Sequence, residues 1–172
     1  MRVEVHMLPA GAPNRPGEKL RGSTPWWITV HETANNQAGA DADAHRRFVH
    51  AGGGPEGVSF HWVVDDVKAI QLLPMSEKAW HAGDGSNGPG NAASVAVELC
   101  VNEDADWHQM MLNAATLVGT LCWLFALGPE RVVQHNRWSG KQCPAWLRGT
   151  GLWDVFLHRV KGRIAALEAE AP

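Results

Sequence analysis

The eight residues Ser94–Val101, reading SVAVELCV, constrain the fold of this chain more than any other stretch. Their apolar, β-branched composition is that of a strand in the middle of a sheet. The one carboxylate in the run, Glu98, is costly to bury without a partner, so it is either paired or functional. Trp26–Val30 (WWITV) is a second strand of the same kind, and it runs out at His31. Open α/β sheets place site residues at such a strand end, which makes His31 a candidate; the plain alternative is a histidine that merely hydrogen-bonds there.

The remaining pattern supplies the cover. Ser59–Val64 and Lys68–Leu73 read as a hairpin around Asp65-Asp66, with His61 on the same face as Val63. Asp41–His50 reads as a short amphipathic helix, with Ala44 and Phe48 on one side, Arg46 and Arg47 on the other, and a stop at Gly52-Gly53-Gly54. Asp106 and Gln109 form a capping pattern, after which Met110, Ala114, Leu117, Val118, Leu121 and Phe125 recur at helical spacing up to a stop at Gly128-Pro129. Trp153, Phe156, Leu157, Val160, Ile164 and Leu167 trace a C-terminal helix. Strands mixed with helices in this way give an α/β sheet covered by helices. With 172 residues, 45% hydrophobic, the expectation is one domain over residues 1–172, with an irregular arm at 1–24 and a frayed tail at 168–172.

The stretch Val132–Pro144 (VVQHNRWSGKQCP) brings chemistry to this frame. A short strand, Val132–Gln134, delivers His135, and a bend at Ser139-Gly140 can fold Cys143 back beside it. Imidazole nitrogen and thiolate sulfur are ligands that zinc prefers, and a catalytic zinc needs three protein ligands and leaves a fourth position for water. His31 is the candidate third ligand. The competing reading makes Cys143 a small hydrophobe and His135 a surface residue. Cys100, Cys122 and Cys143 are an odd, sparse set, which fits free thiols or a metal ligand better than a disulfide framework. Trp80-His81 precedes the Gly/Asn-rich Gly83–Asn91, expected to form an irregular loop that walls a groove. No Lys-Ser/Thr pair follows those glycines, which argues against a phosphate loop. Nine Trp, four Phe and no Tyr put most indoles in the core and leave some to line a groove.

The formal charge of -3 and the lack of a basic run argue against nucleic acid or an anionic membrane as partner. Met1–Pro16 has prolines at 9, 13 and 16 and no continuous apolar run, so neither a secretory signal nor a membrane span is expected there. The expectation is a monomer made in the cytoplasm.

Taken together, WITVHETAN, VSFHWVVDD, AWHAGDGSNGPGN, SVAVELCVN, QHNRWSGKQCP and GLW…RVK, in this order from about Trp26 to Lys161, resemble the zinc-dependent N-acetylmuramoyl-L-alanine amidases of the peptidoglycan-recognition-protein fold, and among them the bacteriophage endolysins. The resemblance implies a central mixed sheet flanked by helices, zinc held by His31, His135 and Cys143, catalytic assistance from Glu98 and Lys141, and a substrate groove bordered by Trp80 and His81. It also implies peptidoglycan as the partner and release to the cell wall during phage-type lysis. Some members of the wider family place a Tyr before the His of the SFHW-like motif and assign it acid/base work. Here that groove position is Phe60, as in the phage-type subgroup, which shifts proton transfer to Glu98 or a histidine. Zinc on two imidazoles and one thiolate would acidify a water, Glu98 would act as general base and then acid, and Lys141 would stabilise the oxyanion. Two other readings stand beside this one: a recognition module that binds wall without cutting it, and a cysteine hydrolase with Cys143 as nucleophile and His135 as base.

Overall fold

The computed structural model describes residues 1–171. The apolar runs become strands β1 (Arg2–Val5), β2 (Trp27–Glu32), β3 (Trp62–Val64), β4 (Lys68–Gln71), β5 (Ser94–Leu99) and β6 (Val132–Gln134), joined in one sheet of order β1-β4-β3-β5-β2-β6. Strands β3, β5, β2 and β6 run parallel, while β4 is antiparallel to β3 and carries β1 parallel to itself. The sheet is therefore mixed, as expected. The hairpin between β3 and β4 is built by Asp65, whose carboxylate accepts from the Val67 and Lys68 amides at 2.8 and 2.7 Å. Its other oxygen accepts from Ala42 N–H at 3.0 Å and so ties the hairpin to the start of helix α1 (Ala42–His50).

Strand alternation sorts the two faces. Ile28, Val30, Val95, Val97 and Leu99 point into one core, which also contains Met110, Val118, Phe156 and Val160 from helices α3 (Trp107–Leu124) and α6 (Trp153–Glu170). These two helices pack closely, because a Cβ on Gly119 would lie 2.7 Å from Arg163 Cβ. Val63, Ile70, Ala96 and Cys100 point the other way, into a smaller core with Ala42 and Val49 of α1. The residues of β2 and β5 on that second face include Thr29, His31, Ser94 and Glu98, and it is here that the site forms. Among the described residues no helix is long and apolar enough to cross a membrane.

Four details differ from the sequence reading. The arm at 1–24 is not irregular throughout: Arg2–Val5 form edge strand β1, and Asn14 is buried with its amide donating to Val49 O and Val58 O at 2.9 and 3.0 Å. Residues Val3 and Val5 stay 57% and 60% exposed, so no burial pattern announced the strand. Helix α1 buries Ala42, His45 and Val49 rather than Ala44 and Phe48. His45 can turn inward because its Nδ1 meets Asp41 O at 2.9 Å. Helix α3 is capped by Asp106 on Gln109 N–H as expected, but it stops at Leu124 rather than at Gly128-Pro129. Ala126 takes a left-handed φ of 53°, with Ala126 N–H donating to Trp123 O and Leu127 N–H to Cys122 O, a Schellman ending built without glycine. Helix α6 runs regularly to Glu170, so a tail frayed from 168 is not observed; Pro172 lies outside the described residues.

His61 joins two strands. Its Nδ1 accepts from Ala96 N–H at 3.0 Å and its Nε2–H donates to Glu77 O at 2.9 Å, so the ring is neutral. Burial pushes its pKa from 6.5 down to about 4. Between those values the unfolded chain binds more protons, so the stability His61 supplies is complete above 6.5 and is lost as pH falls toward 4, a loss of about 3 kcal/mol. His61→Gln is expected to be less stable than wild type near neutral pH, and that gap should narrow by about 3 kcal/mol on acidification to about pH 4. Urea unfolding at matched ionic strength measures it; a gap independent of pH would contradict the assignment.

Candidate metal centre

His31, Glu98 and His135 come from three neighbouring parallel strands. His31 is the register partner of Glu98 between β2 and β5. His135 follows β6 directly, and its N–H continues the ladder by donating to Val30 O at 3.1 Å. Cys143 is returned to the row by the segment after β6. Helix α4 (Asn136–Ser139) is pinned by Trp138, whose Nε1–H donates to Thr29 Oγ1 at 2.9 Å. Gly140 then turns the chain at φ 74°, and the Asn136 amide donates to Gly140 O and Lys141 O, both at 2.9 Å. Asn136 N–H donates to Cys143 O at 3.0 Å and closes the loop. The bend at Ser139-Gly140 is thus where the spacing placed it. One ligand atom each from His31, His135 and Cys143 lies within 4.8 Å of the others.

The hydrogen bonds assign the ring tautomers. His135 Nε2 lies 3.0 Å from Ala82 O, which only an N–H can satisfy, so the lone pair is on Nδ1, a buried atom with no protein partner. Ser94 Oγ donates to Gly90 O at 2.8 Å and therefore accepts from its neighbours: Thr29 Oγ1 at 2.7 Å and His81 Nε2 at 3.4 Å. His81 Nδ1 then accepts from His31 Nε2–H at 3.0 Å, which leaves the lone pair of His31 on Nδ1, 3.7 Å from Glu98 Oε1. Two bare ring nitrogens and a sulfur converging on one point form the donor set of a borderline-soft divalent metal, with each imidazole fixed by a second hydrogen bond. The residues present fit such an ion.

Burial dominates the electrostatics. It lowers the His31 pKa well below the usual histidine range, aided by the neighbouring His81, His135 and Lys141 charges, and it lowers that of His135 as well. Burial raises Glu98 to about 8 against the pull of Lys141, and raises the Cys143 thiol to about 12. Glu98 Oε2 is buried with no partner. Its other oxygen, Oε1, lies 3.7 Å from His31 Nδ1, on a ring that the hydrogen bonds hold neutral.

These side chains open into a cavity of about 240 Å³ that Lys141, Phe60, Trp80 and His81 also line. Phe60 is mostly core, 4% exposed, while still lining the cavity. Gly83–Asn91 is more regular than expected, because its end forms helix α2 (Pro89–Ala93). Asp84 accepts from Gly90 and Asn91 N–H at 2.6 and 3.2 Å, and Asn91 Oδ1 accepts from His81 and Ala82 N–H at 2.9 Å each. A Cβ on Gly90 would meet Ala82 Cβ at 2.4 Å, so glycine is required there. Pro89 at the first helical position was the legible signal for α2.

A family model described as N-acetylmuramoyl-L-alanine amidase matches residues 21–146. The chain belongs to the N-acetylmuramoyl-L-alanine amidase family. The amidase XlyA of Bacillus subtilis is 45% identical over 156 residues, covering 90% of this chain and 50% of XlyA. CwlH of the same organism is 40% identical over 158 residues, covering 92% and 60%. The chain thus spans half to three-fifths of the length of these curated relatives. Among solved structures, the catalytic domain of XlyA superposes with a TM-score of 0.84 at 42% identity over 93% of this chain and 99% of that one. PlyL gives 0.84 at 31% identity, over 95% and 99%. The fold is that of these amidase-family domains.

Within this amidase-family fold Glu32 was missed by sequence reasoning. Strand alternation turns it away from His31, and its carboxylate accepts from Trp146 and Leu147 N–H at 2.8 and 3.0 Å, capping helix α5 (Ala145–Gly149) from a distance. Its own N–H donates to Cys143 Sγ at 3.3 Å. Glu32→Ala leaves two helix-start amides unpaired and is expected to cost about 2–3 kcal/mol in urea unfolding, with Glu32→Gln about halfway. Equal stability of Glu32→Ala and wild type would contradict this role.

Proposed function

We propose that the protein hydrolyses the amide bond between the lactyl group of N-acetylmuramic acid and L-alanine in bacterial peptidoglycan, with His31, His135 and Cys143 holding a zinc ion. The observation that carries this reading is the convergence of three metal-type donors beside a carboxylate with a free oxygen, at the end of three parallel strands. The names of XlyA and CwlH, both N-acetylmuramoyl-L-alanine amidases, support the bond assignment.

When bound, zinc supplies Lewis acidity, which acidifies water and polarises a carbonyl. The chain supplies the rest. Glu98, whose pKa burial raises to about 8 and which a neighbouring cation would return to the carboxylate, accepts a proton from the attacking water at its unpartnered oxygen and returns it to the departing L-alanine nitrogen. Its buried position keeps that proton from leaking to solvent. Lys141, at the rim of the cavity, places a positive charge where the carbonyl oxygen becomes anionic. His81 and Ser94 hold His31 in the tautomer that directs Nδ1 inward, and Trp80, His81 and Phe60 border the substrate. The alternative of a cysteine hydrolase, with Cys143 as nucleophile and His135 as base, predicts inactivation by alkylation and activity indifferent to chelators.

Glu98→Gln keeps the shape of the side chain and removes the base. It is expected to retain wild-type zinc content and to lose activity on purified wall by about a hundredfold or more. Wild type should release new L-alanine amino termini and no new reducing ends, because glycosidase chemistry needs two carboxylates across the sugar. Reducing ends without new amines would overturn the bond assignment. Full activity of Glu98→Gln would leave Glu98 a structural acid.

A further inference from the structure

At the amino end of the central strands, away from the metal centre, arginines and tryptophans alternate on the surface. Trp27 opens β2, and Arg131 precedes β6 level with it, because Ile28 pairs with Val132. The Cζ atoms of Arg131 and Arg137 each lie 4.7 Å from the centroid of the Trp27 ring, so one indole carries two guanidiniums. Arg137 also lies 5.5 Å from the Trp138 ring, which meets Trp27 edge to face at 5.9 Å. Beside them Trp26 is 42% exposed and carries Arg21 at 5.8 Å. Arg131 joins the two groups, since with Trp26 it borders a cleft of about 480 Å³. That cleft shares no lining residue with the cavity at the metal centre, and Trp27 stands about 13 Å back along β2 from His31.

Two like charges on one ring repel, and the indole face offsets only part of that cost. Nothing in the protein supplies the rest. The ion pairs among the described residues engage Arg2, Arg15, Arg46, Lys68 and Lys78, never Arg131 or Arg137. Hydrogen bonds occupy the guanidiniums of Arg15, Arg46, Arg148 and Arg163 but, among the described residues, neither of these two. Glu130 is the acid bordering the cleft, and it makes no ion pair with Arg131. Both arginines are exposed. The chain as a whole carries a formal charge of -3, so a local cluster of unneutralised cations does not follow from composition. A guanidinium held against an indole is an oriented fork, and that fork matches phosphate oxygens two at a time. Neighbouring forks match neighbouring phosphates, and the exposed indole of Trp26 offers an apolar face to the C–H linker between them.

We propose that Arg131 and Arg137, with Trp26, Trp27 and Trp138, form a docking site for a phosphodiester polymer of alditol or sugar units, a polyanion that repeats one negative charge per unit. The site lies apart from the metal centre and does not depend on the amidase reading. It holds the protein on a surface that carries the polymer, and its grip falls with added salt because the arginines are exposed. Nucleic acid repeats the same charge, but its bases need open aromatic faces to stack on, and the arginines already cover Trp27.

The probe is soluble poly(glycerol phosphate), titrated into zinc-loaded protein and followed by calorimetry at low ionic strength and again at higher salt. Wild type is expected to bind it saturably and more weakly as salt rises. The double variant Arg131→Gln/Arg137→Gln is expected to bind about tenfold more weakly or worse, at wild-type zinc content. Arg131→Lys/Arg137→Lys keeps the charge and loses the fork, so it should fall between the two. Should the double glutamine variant fail to fold, the single variants Arg131→Gln and Arg137→Gln decide, each binding measurably more weakly than wild type. Absence of binding by wild type, or equal binding by the glutamine variants, would overturn the site. Equally tight binding of polyglutamate would overturn the phosphate assignment, and tighter binding of single-stranded DNA with the same number of phosphates would overturn the choice of polymer. Displacement by monomeric glycerol phosphate at equal phosphate concentration would reduce the site to that of a lone anion and overturn the polymer as well. Failure of the amidase reading looks different: no wall preparation would release amine ends, while polymer binding and its loss in the glutamine variants would persist.

Discussion

The pairing of β2 with β5 on one side and β6 on the other governs the rest of the structure. Because all three strands run in the same direction, their carboxyl ends share one edge, and register brings His31 level with Glu98 and next to His135. Parallel strands in register point level residues to the same face. Shifting any one of them by a single residue would send its functional side chain into the opposite core, against α3 and α6. The apolar residues between, Ile28, Val30, Val95 and Val97, therefore fix the site as much as the polar ones do: they are fully buried on the helical face and allow no slip.

The site is polar because that face is only partly covered. Helix α1 packs over the β3 and β4 side, and the β2–β6 side is roofed by the segments around His81 and Cys143, each tied down by side chains rather than by regular structure. Asn91 and Asn136 play the same part in the two segments, with amides that satisfy backbone groups of a turn and so hold a wall in place. This arrangement leaves two bare imidazole nitrogens, a sulfur and a carboxylate oxygen facing one small space, where burial disfavours every charged form. A divalent cation is the group that turns such a set from a cost into a stabilising interaction.

Much of this was legible from residues. The apolar runs around Ser94 and Trp27, the Asp106 cap and the hairpin at Asp65 follow local rules of composition and capping, and His31, His135 and Cys143, which the fold brings together, had been singled out by residue type and position. What was not legible depends on contacts distant in sequence or on exceptions to a local preference. Strand β1 exposes its valines and exists only because β4 offers it a ladder. The end of α3 uses Ala126 where glycine is usual. Helix α2 lies in a Gly/Asn-rich stretch where Pro89 is its one local signal, and the carboxylate that stabilises it, Asp84, precedes it by a loop. Glu32 caps a helix more than a hundred residues later in the chain, which no window of sequence can register. His45 lies off the apolar face marked by Ala44 and Phe48, and its bond to Asp41 O is what lets it turn inward.

The central claim is that His31, His135 and Cys143 together bind one metal ion through two ring nitrogens and a sulfur. X-ray absorption at the zinc edge, on protein loaded with one equivalent of zinc, tests it directly. The account predicts a four-coordinate spectrum with nitrogen or oxygen neighbours at about 2.0–2.1 Å and a single sulfur at about 2.3 Å, the sulfur contribution disappearing in Cys143→Ala. A shell of nitrogen and oxygen alone in the wild type, or a sulfur signal that survives Cys143→Ala, would contradict it.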